Sequence, residues 1–184
     1  WVFAHAVFAT IVVLFAPFQF SDRLRKRFTK AHRVMGRLYV LGAFALAPTG
    51  AYIQYFQERF GAPRSFTVLG VVDATMLMAA TALALLFAVQ RKIALHRQWA
   101  IRSYAIALVF IGARFVLGIT GWETLGVEIV QATIWSCLAL SVVFADVAIH
   151  WKELHSALTI PVKSPVASSV ARKQSLPVKP LRAT

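Results

Sequence analysis

Long apolar runs separated by short polar segments set the pattern of this chain. A helix needs about 20 apolar residues to cross the hydrocarbon of a bilayer. Five runs approach or exceed that length, at roughly 1–20, 36–56, 66–89, 100–120 and 127–149. Each predicts a membrane-spanning helix. The first ends at Pro17–Phe20, and a polar, basic loop follows over 21–35. The second exits near Gln57, and Pro48 within it predicts a kink, because proline removes a helix donor and crowds the preceding turn. Gly61 and Pro63 mark the loop 57–65, and a second basic loop occupies 90–99. Trp122 and Glu123 mark the turn before the last span. That span is expected to end at Trp151–Lys152, an aromatic and cationic pair suited to the interface. From 160 to 184 the chain is rich in Pro, Ser, Lys and Ala with no apolar period, the pattern of a disordered tail. The expected fold is an all-α polytopic bundle of about five spans, two hairpins plus a fifth helix, over 1–155. A basic tail completes the chain over 156–184.

Composition supports a membrane protein. The chain has 184 residues, of which 59% are hydrophobic and 15% charged, with a mean hydropathy of +0.66. One soluble core of this size would not hide so much apolar surface. The single cysteine, Cys137, falls inside a run, which leaves no intrachain disulfide and no thiolate metal site.

Charge then orients the spans. Of the 20 Lys and Arg residues, seven lie in 23–37, four in 91–102 and six from Lys152 onward. The opposite ends of the spans carry only Arg59 and Arg64, and Arg114 stands inside a run. Basic residues concentrate on the cytoplasmic side of membrane proteins, so both basic loops and the C-terminus are expected there. The net charge of +13 is divided by membrane-length apolar runs. Anionic lipid headgroups are therefore the expected partner, and nucleic acid is not. The chain opens at Trp1 already inside an apolar run, which points to a fragment or a matured form.

Ionisable residues at membrane depth cost several kcal/mol unless paired, which makes each a candidate site. Asp73 and Arg114 each lie about seven residues from the outer end of adjacent antiparallel spans, at matching depth by helical rise. They are expected to form an ion pair, with His5 and Gln131 completing an outer polar cluster. That cluster is either structural or a site for a substrate, a quinone or a proton.

A second group gathers toward the cytoplasmic side: His32, Arg33, Arg37, His96, Arg97, Arg102, Asp146 and His150. Arg102 and Asp146 are plausible partners. The two basic loops end alike, in His32-Arg33-x-x-Gly36-Arg37-x-Tyr39 and His96-Arg97-x-Trp99-x-x-Arg102-x-Tyr104. The repeat carries a one-residue offset. Histidines at these positions either cap helix ends or ligate a haem iron through neutral imidazole. One b-type haem fits His32 with His96, or either with His150, at one depth. On the outer side only His5 is available, so two stacked haems would need ligands from elsewhere. No C-x-x-C-H run exists, which excludes covalent haem. No phosphate-binding loop, zinc-protease motif or nucleophile elbow occurs. No catalytic residues can be assigned, and an enzyme is not the expected class.

The run His5…Ala16-Pro17-Phe18-Gln19-Phe20, the two His-Arg motifs and Arg114 together resemble an uncharacterised family of small bacterial predicted membrane proteins, a domain of unknown function. The resemblance covers about 1–120. Ala16 stands where a Gly-Pro-like pair is expected. The resemblance implies a multi-pass bacterial inner-membrane protein and supplies no activity, substrate or cofactor. Small bundles with helix-end histidines are similar to b-type cytochromes at the level of fold alone. Three functions remain in play: a non-catalytic subunit serving a partner or small molecule, a single-haem redox subunit, and a transporter for a small anion or proton-coupled solute.

Overall fold

The computed structural model describes residues 1–159, apart from the side chains of Asp22, Leu24 and Thr159. Within these residues all regular structure is helical. The elements are α1 (Val2–Gln19), α2 (Asp22–Arg27), α3 (Thr29–Glu58), α4 (Arg64–Val89), α5 (Ile93–Ala107), α6 (Val109–Thr120), a 3₁₀ turn (Trp122–Leu125) and α7 (Val127–Thr159). Helices α1, α3, α4 and α7 are each long and apolar enough to cross a membrane, and α5 with α6 forms a fifth such element bent by 40°.

The chain divides into a unit over Trp1–Ile149 and a second that begins at His150. In the first unit α3 packs between α1 and α4, α4 packs against α5, and α5 returns to α1. These four helices enclose the core, which includes Val12, Ala43, Leu69, Leu77 and Ile106. Ile134 and Leu138 of α7 join it. Large apolar side chains such as Leu41 and Phe115 remain 68% and 69% exposed. Outward apolar side chains of this kind suit contact with lipid rather than water.

Several boundaries differ from the expected ones. The segment 21–35 is helical for most of its length, as α2 and the first two turns or so of α3. No Gly or Pro interrupts it before Gly36, and Lys and Arg are good helix formers. The 30 residues of α3 extend about 45 Å at 1.5 Å per residue, well beyond a hydrocarbon core of about 30 Å. His32 and Arg33 therefore stand on a helix and not in a loop. Helix α3 contains Pro48 within its length, and a further break falls at Leu108, between α5 and α6. Helix α7 continues past Trp151–Lys152 to Thr159, because nothing from Glu153 to Leu158 stops a helix. The expected disordered stretch, 160–184, lies outside the described residues.

Candidate functional site

Two cavities open at opposite ends of the four-helix core. The inner one lies at the end that carries the basic segments and has a volume of about 540 Å³. Its walls are mostly apolar and small, with Ala16, Gly36, Ala84, Ala88 and Ala100 among them. Its polar groups are Gln19 from α1, His32, Arg33, Arg37 and Tyr39 from α3, Thr81 from α4 and His96 from α5. The two His-Arg motifs thus meet at one cavity, each supplying its histidine.

The two imidazoles are held differently. His96 Nδ1 lies 2.8 Å from the carbonyl oxygen of Ala84. A carbonyl only accepts, so Nδ1 carries the hydrogen and Nε2 is left as the bare nitrogen. Among the described residues, His32 Nδ1 is buried without a hydrogen-bond partner, as is Gln19 Nε2. A Cβ placed on Gly36 would meet Gln19 Oε1 at 3.5 Å, so the absent side chain at 36 leaves room beside Gln19.

A chain of hydroxyls closes the floor of this cavity. Thr81 Oγ1 donates to the Leu77 carbonyl at 2.7 Å. Its only hydrogen is then used, so Ser103 donates to Thr81 at 2.7 Å and Tyr39 donates to Ser103 at 2.8 Å. Ser103 and Thr81 are fully buried. The chain ties α3, α4 and α5 together through buried hydroxyls.

The remaining motif residues fix α5 in place. The Arg102 guanidinium donates twice to Asp146 Oδ1, at 2.9 and 2.7 Å, and rests 5.1 Å from the Trp99 ring centre. Tyr104 reaches the Val13 carbonyl of α1 at 3.4 Å and packs against Phe20. Arg102 and Asp146 therefore join α5 to α7 rather than entering the inner cavity. Neither lines it. His150 stands in the second unit, beyond Ile149.

The outer cavity, about 350 Å³, gathers His5, Gln54, Gln57, Asp73 and Arg114. The expected Asp73–Arg114 ion pair is not formed. Asp73 is 8% exposed and its Oδ1 has no hydrogen-bond partner among the described residues. The 40° bend between α5 and α6 changes the face that α6 presents, so matched depth alone does not bring the two side chains into contact. Gln131 also departs from the expected cluster. Its amide donates to Ser65, and it does not line the cavity. His5 Nδ1 faces Thr49 Oγ1 at 3.4 Å. The Thr49 hydroxyl hydrogen is shared with the Ala45 and Leu46 carbonyls, so Nδ1–H of His5 is the donor.

Gln19, Thr81, Ser103 and Gln54 are cavity or floor residues that sequence reasoning did not single out. Only Gln19 carried a signal, as a polar residue at the end of the first apolar run.

The family described as "Predicted membrane protein (DUF2306)" matches residues 2–149. The chain belongs to that family. The DUF2306 match covers both cavities and the Arg102–Asp146 pair, and it ends where the first unit ends, so His150 lies outside it. No curated protein and no solved structure matches the chain.

Proposed function

We propose that this DUF2306 protein is an integral membrane subunit that holds one haem b in the inner cavity, with His96 as the anchoring ligand and His32 facing it. The observation that carries the proposal is the hydrogen bond from His96 Nδ1–H to the Ala84 carbonyl. Histidines that ligate metals commonly donate their other ring nitrogen to a carbonyl or carboxylate, which fixes the ring and raises its basicity. His96 has that arrangement, and its Nε2 is the nitrogen that would hold the iron. His32 lines the same cavity from α3.

The rest of the cavity suits the same group. Small side chains leave a broad apolar space, and Arg33 and Arg37 stand at its lining to receive carboxylate side groups through charge-assisted bonds. When bound, the haem supplies one-electron transfer. The chain's own residues would orient the ligand ring, exclude water and neutralise the carboxylates. A single haem passes electrons only between partners, so a partner subunit or a diffusible carrier belongs to this proposal. The basic end, with this cavity, would face the cytoplasm of a bacterial inner membrane.

A second reading rests on the unpaired Gln19 Nε2 and His32 Nδ1. Two such groups beside an apolar cavity suit a quinone head group, whose carbonyl oxygens accept hydrogen bonds. The absorption spectrum of purified protein, wild type against His96→Ala, separates the two: haem gives a Soret band that depends on His96, and a quinone gives none.

A further inference from the structure

The outer cavity is a second and independent feature. It is lined by both a buried carboxylate, Asp73, and an exposed guanidinium, Arg114. Asp73 is 8% exposed with its Oδ1 unpartnered, Arg114 lines the same space, and no ion pair joins the two among the described residues. Asp73 is the buried charge and is costly to leave unpaired, while Arg114 is exposed on α6 and lines the cavity from its open side. Holding both at one cavity without contact leaves a gap that a ligand of both signs would fill.

The packing around that gap supports a built site. A Cβ on Gly50 would come within 3.0 Å of His5 Cε1, and one on Gly70 within 3.0 Å of Gln54 Cγ. Two glycines therefore give up side chains so that an imidazole and an amide can stand at the cavity. The break at Leu108 falls at its wall, between Ala107 and Phe110, and carries Arg114 on the helix beyond it.

We propose that the outer cavity binds a small zwitterion, a neutral amino acid in chemical class, with its ammonium on Asp73 and its carboxylate on Arg114. An anion alone would satisfy Arg114 and repel Asp73. A cation alone would do the reverse. A zwitterion answers both and adds no net charge. Leu46, Leu77 and Phe110 of the lining favour an apolar side chain on that molecule. His5 Nε2 and the Gln54 amide remain to complete the hydrogen bonds of its head group.

The test uses the full chain in detergent and reads both the melting temperature and the heat of binding. The probes are L-leucine and L-alanine, with isoamylamine and isocaproate as the two halves of leucine. The expected result is stabilisation by leucine, less by alanine, and little by either half. Asp73→Asn and Arg114→Gln should each weaken leucine binding by about tenfold or more, the scale of losing one charged partner. Absence of binding by both amino acids overturns the proposal. So does binding of isocaproate as tight as leucine, which indicates an anion site, or leucine binding that survives Asp73→Asn. The comparison of leucine with its halves needs no variant, so misfolding of a mutant does not decide the outcome. Haem content plays no part in the readout.

Discussion

His96 Nδ1–H donates to the carbonyl oxygen of Ala84 at 2.8 Å, and this one bond decides which nitrogen of His96 can ligate. The bond crosses from α5 to α4. It fixes the ring against a backbone atom that no substitution at position 84 removes. His96→Ala is therefore expected to abolish the Soret band of the purified protein. His32→Ala should retain a Soret band but change its position and the reduced-state bands. Reduced-state absorption and electron paramagnetic resonance distinguish the two. Loss of the band in His32→Ala with retention in His96→Ala would reverse the assignment.

Gly36 tests the space itself. A Cβ there makes ordinary contact, 3.5 Å from Gln19 Oε1, so Gly36→Ala should bind haem nearly as wild type does. Gly36→Leu fills the cavity and should lose haem. Helix propensity favours both residues over glycine by roughly 0.5–1 kcal/mol, so neither is expected to weaken α3. Haem content per protein, measured as the pyridine haemochrome, checks the pair.

The bonds from Tyr39 through Ser103 and Thr81 to Leu77 carry a stability prediction. Ser103→Ala leaves the Tyr39 hydroxyl without its acceptor in a buried setting, at a cost of about 1–2 kcal/mol. Tyr39→Phe removes the donor and should cost less. The double variant should fall short of the sum of the two single ones, because the stranded hydroxyl is gone. Thermal unfolding in one detergent reads all three. Strict additivity would show that the hydroxyls do not act as a chain.

Arg102 and Asp146 are partly exposed, at 22% and 48% of their side chains, so their bond is worth less than a fully buried one. Arg102→Leu should destabilise by about 1 kcal/mol. Arg102→Lys keeps the charge but loses the two-toothed bond and the stack on Trp99, and should recover only part of that loss. Haem content should be unaffected in both, since Arg102 does not line the inner cavity.

The apolar period located the spans because each run is long enough to leave no other home in a protein of this size. Helix ends were less legible. Lys and Arg continue a helix as readily as they begin a loop, so Thr29–Met35 reads as a polar segment and folds as the start of α3. The outer cluster shows a different limit. Helical rise gives depth, and His5, Asp73 and Arg114 line one cavity at matching depth. It gives no angle about the helix axis, and it does not foresee a 40° bend at a position without proline. Asp73 and Arg114 therefore share a cavity without sharing a bond. The hydroxyls of Thr81 and Ser103 were not legible, because a lone Thr or Ser in an apolar run most often bonds its own helix.

Whether His96 and His32 hold a haem is read from the absorption spectrum of detergent-purified protein expressed with ample haem, oxidised and then reduced with dithionite. A haem held by His96 gives a Soret band with sharp reduced α and β bands, lost in His96→Ala; a flat visible spectrum from well-folded wild-type protein rules out haem in the inner cavity.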